Sequence, residues 1–189
     1  MDPNDDVFDQ NRELMYEELA GESERACAIV GVAYLDDLLG QVLEHYLLEN
    51  AGAYRELLNP ENPSAPLSSF GARLVASYGI GLISHSDLEA LRKLKRIRNL
   101  FAHSLSTSFE DNEVKSHCHR LKDIVRALRF ISEPPSARDV FQSVVAHYSG
   151  RFSEQLHLMK TFHVRGGFPS VIRLSAALSE ALESKKSAG

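Results

Sequence analysis

Tryptophan is missing from this 189-residue chain, and cysteine is scarce, at two residues. Two cysteines, Cys27 and Cys118, make neither a disulfide framework nor a four-cysteine zinc site. They fit a reducing cytoplasm, which is the expected setting. A basic excess is missing too. Lys and Arg number 21 against 26 Asp and Glu, a formal charge of −5, so the chain as a whole is no electrostatic glove for nucleic acid. No apolar run is expected to reach the roughly 18 residues of a membrane span, so no membrane partner is expected. The acidic start MDPNDDVFDQN lacks the apolar core of a secretory signal. Alternating apolar and polar runs, the mark of strands, are missing, as are G-x-G-x-x-G and G-x-x-x-x-G-K-[ST]. Those absences exclude dinucleotide-binding and P-loop readings. Without G-x-S-x-G or H-E-x-x-H, no familiar hydrolase motif stands either.

What remains is helix. Residues 7–19 form a short acidic amphipathic stretch. From Arg25 to Glu49, Ile29, Val32, Leu35, Leu39, Val42 and Tyr46 recur at three- and four-residue steps, the stripe of the longest expected helix. Pro60, Pro63 and Pro66 mark a long connection with room for one turn near Arg55–Leu58. Helix resumes over Phe70–Ile83 and ends near Gly79 and Gly81. Ser86 and Glu89 read as a capping box, which starts the next helix near Asp87 and carries it to about His103. Another begins at Asn112 or Glu113, with Val114, Leu121, Val125, Leu128 and Ile131 inward. Glu133-Pro134-Pro135 breaks it, and Ser136 with Asp139 caps a helix over Val140–Tyr148. Arg151–Val164 has no clear period. Gly166-Gly167-Phe168-Pro169 is a break, and Ser170 caps a last amphipathic helix carrying Val171, Leu174, Leu178, Ala181 and Leu182. The expected fold is all-α, a single-domain bundle of about six or seven helices. Its expected parts are an acidic segment over 1–21, a bundle over 22–148 and a C-terminal extension over 149–189.

The segment RIRNLFAH, Arg96 to His103, either carries chemistry or helps hold the helices together. Arg92, Lys93, Lys95, Arg96 and Arg98 place five cations in seven residues. On a helix Arg92, Arg96, Asn99 and His103 share a face, while Leu94, Ile97, Phe101 and Leu105 form the opposing stripe. Arg98 sits at the stripe's edge, where a long stem can lie on apolar surface. Arg98, Asn99 and His103 have the R-[polar]-x3-H form found in metal-independent ribonucleases of the HEPN superfamily. There a histidine can move the 2′-hydroxyl proton and an arginine can stabilise phosphate charge. Against that reading, five residues of regular helix turn the two side chains about 140° apart. An arginine in such a helix also serves as a structural ion-pair partner. Asp36 and Asp37, amid the apolar AYLDDLL, need cations, and Arg73, Arg96 and Arg98 are the expected ones. His117, Cys118 and His119 point too far apart on a helix to chelate one ion, so no metal or other cofactor is expected.

Three blocks together resemble the MltR family, named for the mannitol operon repressor. They are RACAIVGVAYLDDLLGQVL (25–43), PLSSFGARLVASYGIGLIS (66–84) and LRKLKRIRNLFAHSLSTSFED (91–111). The resemblance covers about residues 22–148. Matching motif residues are Asp36, Asp37, Phe70, Arg73, Arg96, Arg98, Asn99 and His103. It implies a helical bundle and a role in transcription regulation without an evident DNA-binding module. The partner so implied is another regulatory protein or enzyme, and a homodimer is expected. A HEPN-like, toxin-type ribonuclease using Arg98, Asn99 and His103 is the alternative. A third is a direct DNA-binding repressor using Arg92, Lys93, Lys95 and Arg96, with weak binding expected from so few cations.

Overall fold

Serine decides where most of these helices begin. A helix start leaves free N–H groups, and a short side-chain oxygen can accept from one of them. Ser23 accepts from Ala26, Ser69 from Ala72, Ser84 from Asp87 and Ser136 from Asp139, at 3.1–3.3 Å. A computed structural model of the chain describes residues 3–47, 52, 56–59, 61–62, 64–122 and 135–161. Among the described residues there are six helices and no strand. They are α1 (Pro3–Ala20), α2 (Glu24–Leu47), α3 (Phe70–Gly79), α4 (His85–His103), α5 (Asn112–His119) and α6 (Ala137–Thr161). The chain is an all-helical bundle, as the periodicity predicts.

α6 is the spine. α1 and α2 pack along it, α4 lies against α2, and α3 and α5 close the sides. Cys27, Leu35, Leu39 and Val42 of α2 meet Val140, Phe141, Val144 and Tyr148 of α6 in one core. Phe101, Phe109 and Phe141 form an aromatic row with ring centroids 4.9 and 5.4 Å apart. That row fills volume in a chain that has no tryptophan. α1 approaches α6 closely where Gly150 removes a side chain: a Cβ there would lie 2.7 Å from the Phe8 carbonyl oxygen. α3 ends in a turn at Gly81, whose φ of 77° suits glycine.

Several expectations need correction. α6 runs unbroken through Tyr148 and Ser149, so a boundary between bundle and extension at 148/149 falls inside a helix. Tyr148, Phe152, Leu156 and Met159 carry its buried face across that point. At 25 residues, α6 rather than α2 (24) is the longest element. The acidic N-terminal segment is an 18-residue helix with Met15 and Leu19 in the core. α4 begins at His85 behind a capping box of Ser84 and Asp87, not Ser86 and Glu89. Leu105 leaves the apolar stripe because α4 ends at His103 and Ser104 is extended, and it is 91% exposed. α5 stops at His119, and the buried Leu121 follows in a turn. α2 is long and apolar enough, by length and composition, to cross a membrane, contrary to the expectation that no run is; half of that window is buried in the bundle. Around the proline-rich connection, Glu56 and Leu57 are helical. Pro60, Pro63, Val125, Leu128, Ile131, Glu133, Pro134, Val164, the 166–169 break and the helix expected from Ser170 lie outside the described residues.

Candidate functional site

α4 keeps regular geometry through His103, and the Ser104 N–H donates to the Leu100 carbonyl at 3.2 Å. Arg98 and His103 therefore leave the helix about 140° apart. Arg98 lies at the edge of the buried stripe of Leu91 and Leu94 and is half-buried, whereas His103 is exposed. Asn99, between the two faces, is half-buried. Within one chain the two groups do not converge on a common point.

The aspartate pair finds one of its expected partners. Arg73 projects from α3 into α2 and donates from Nη1 to Asp36 Oδ1 at 2.7 Å and to the Asp36 carbonyl at 3.1 Å. Its Nε reaches the Leu67 carbonyl at 2.9 Å and its Nη2 the Leu58 carbonyl at 3.0 Å. One buried guanidinium thus fastens α2, α3 and the 58–67 connection. Gly40 leaves room for it, since a Cβ there would sit 3.0 Å from Nη1. Burial pushes the Asp36 carboxyl above its ordinary range, against the opposing pull of Arg73 and, further off, Arg98.

The other expected ion-pair partners go elsewhere. Asp37 is exposed and accepts from Gln41 Nε2 at 2.8 Å. Arg96 points outward and pairs with Glu113 of α5 at 3.0 Å. Among the described residues Arg98 makes no ion pair, because Arg73 has already taken Asp36. Its Nε is buried without an acceptor.

The cations of the basic face are largely occupied. Arg92 pairs with Glu89 at 3.0 Å, and Lys93 Nζ donates to the Glu89 carbonyl at 3.1 Å. Lys95 is half-buried with its Nζ over Gly71 of α3. In the His117–His119 run, Cys118 is buried, with its thiol pushed up to about 12 by desolvation. Burial lowers His117, and His119 is exposed. Among the described residues no group of three or more His, Cys, Asp or Glu could hold a metal ion. A cavity of about 520 Å³ lies between α5 and the start of α6, lined by Lys115, His119 and Lys122 among others; none of Arg98, Asn99, His103 or Asp36 lines it.

A second polar centre was not read from the sequence. Asp87, in the first turn of α4, accepts from Arg151 Nη1 at 2.6 Å, Arg151 Nη2 at 3.3 Å and the Tyr148 hydroxyl at 3.0 Å. It also accepts from the Ser84 N–H at 2.9 Å and the Ser84 hydroxyl at 2.7 Å. Burial would raise this carboxyl, but the Arg151 and Ser84 bonds outweigh it and hold it at about 2. Next to it, burial and then the Arg151 charge push His147 down to about 4. The signal present in the sequence was the S-x-x-D spacing of Ser84 and Asp87.

No family model, no curated protein and no solved structure matches this chain.

Proposed function

We propose that the chain is an MltR-like, transcription-associated regulator that acts by contact with another regulatory protein or enzyme and carries no DNA-binding module of its own. The observation that supports this is the occupancy of the basic face. Arg92 and Arg96 are already paired with the carboxylates of Glu89 and Glu113, and Lys93 with the Glu89 backbone carbonyl. A phosphate backbone would have to compete with those acids on a protein of net charge −5. Fluorescence anisotropy with duplex DNA should give weak binding that falls steeply with salt and ignores sequence. Calorimetry with the purified product of an adjacent regulatory gene should give saturable binding. Tight, sequence-selective DNA binding by the isolated protein would overturn the proposal. So would deletion of the gene without any change in the transcripts of its neighbours.

The ribonuclease alternative has one observation in its favour. The buried Arg98 Nε has no acceptor among the described residues, and His103 is exposed on the same helix. Incubation with cellular RNA in chelator decides it. We expect no cleavage by the wild type or by His103→Ala. Cleavage that disappears in His103→Ala, with the circular dichroism unchanged, would replace the regulator reading.

A further inference from the structure

The outer face of α2 is apolar where solvent should make it polar. From Ala26 to Leu35 the helix carries no charged residue. One side of that stretch, Cys27, Ala28, Val32 and Leu35, is core. The other side holds Val30, 45% exposed, and the exposed Ala33, flanked by half-buried Ala26, Ile29 and Tyr34. An amphipathic surface helix would place polar side chains there. The apolar surface continues onto the next helix. Arg25 donates to the Ser104 carbonyl at 2.9 Å and the Ala102 carbonyl at 3.3 Å. Those bonds bring the end of α4 and the turn after it, with exposed Ala102 and Leu105, against the first turn of α2.

Two charges frame this face. Arg98 is on α4, which runs antiparallel to α2: Arg25 meets residues 102–104, and Asp36 lies within electrostatic reach of Arg98. Arg98 therefore sits beside the interval of α2 between Arg25 and Asp36. Its Nε is buried without an acceptor, and among the described residues Arg98 forms no ion pair. Asp37, the next residue along the outer stripe after Ala33, is exposed and among the described residues forms no ion pair, accepting instead from Gln41.

We propose that this face binds a second copy of the chain, with the two α2 helices antiparallel about a twofold axis near Ala33, and with Arg98 of each copy meeting Asp37 of the other. In such a pair each contact occurs twice, so the patch must complement itself. It does so. Residue 37 lies four positions past Ala33, about 6 Å along the axis, so in the second copy it falls at the level of residue 29 of the first. That level is within the interval where α4 presents Arg98. The small Ala33 at the centre lets the two helices approach closely. Val30 and Ile29 supply the apolar core that homodimer interfaces have. A foreign helix would have to bring both an apolar stripe and a placed acid, and this chain already carries both.

Sedimentation equilibrium of the full chain tests the interface. Wild type should be dimeric in the micromolar range. Ala33→Glu, at an exposed position, should halve the mass with an unchanged circular dichroism spectrum. Asp37→Arg should weaken the dimer about tenfold or more, and Asp37→Arg with Arg98→Glu should recover it. Ala33→Cys adds a measurement that does not depend on altering Arg98. Mild oxidation should cross-link it into a covalent dimer, while the buried Cys27 and Cys118 stay reduced. A monomeric wild type, a dimer that survives Ala33→Glu, or a folded Ala33→Cys chain that does not cross-link overturns the proposal. None of those results touches the regulator reading, whose own tests use DNA and a different protein.

Discussion

Replacing Asp87 by Asn should destabilise the bundle by an amount that depends on pH in a definite way. Asn keeps the size of the side chain and can still accept from the start of α4, but it brings no charge to Arg151. The carboxyl falls from an ordinary 3.8 to about 2 in the folded chain. That is nearly two units, and at roughly 1.36 kcal/mol per unit it is worth about 2.4 kcal/mol near neutrality. The Asp87 side chain is only 11% exposed, but Arg151 at 36% keeps water near one end of the pair, so about 2 kcal/mol is the better figure. For a chain of this size that is a drop in Tm of about 4–8 °C. The folded pKa lies below the unfolded one, so the contribution is complete above about pH 5 and is lost as pH falls from 3.8 toward 2. Urea unfolding of wild type and Asp87→Asn at neutral pH and near pH 3 measures this. The gap in stability should shrink to about half at the lower pH. A gap under about 0.5 kcal/mol at neutral pH, within the spread of ordinary surface changes, would refute the assignment. So would a gap that stays constant with pH.

Arg73→Lys keeps the charge but loses the fork that serves Leu58, Leu67 and Asp36, so it should cost about 2–4 kcal/mol in urea unfolding; an unchanged midpoint would refute the clamp. Gly150→Ala puts a methyl 2.7 Å from the Phe8 carbonyl and should cost about 1–3 kcal/mol, with faster trypsin cleavage within α1; equal cleavage rates would show that α1 does not depend on that close approach. Burial raises Cys27 to about 11 and Cys118 to about 12. Native protein near pH 8 should therefore resist iodoacetamide, while guanidinium exposes both thiols; rapid labelling of the native chain would contradict their burial.

The helices that are plain in the sequence are those whose buried face is made of apolar side chains. α2 and α4 show their stripes at once, because Leu, Val, Ile and Phe alone mark the inner side. The far half of α6 hides its period. It buries Ser149 and Gly150 under α1, and nearby Gln142 and Ser143 as well, and these small or polar residues read as surface until the covering helix is known. Ser84–Asp87 and Ser86–Glu89 both fit the same capping pattern. The choice between them comes from Tyr148 and Arg151, more than 60 residues away. The need of Asp36 for a cation was legible in its apolar neighbours. That Arg73 would supply it, and leave the Arg98 Nε without an acceptor among the described residues, depends on how α3 docks, which no local spacing records.

The spine helix also sets the timetable of synthesis. The carbonyl of Leu19, at the end of α1, accepts from Gln142 Nε2 at 2.8 Å and from Arg138, 123 and 119 residues further along the chain. A ribosome adding about 5–20 residues per second needs roughly 6–24 s to cover that distance. Through that interval α1 and the side of α2 that faces α6 have emerged without the helix that covers them. The least protected moment of this protein is therefore its own translation, when an apolar α2 is present and the helix that covers it has not yet been made.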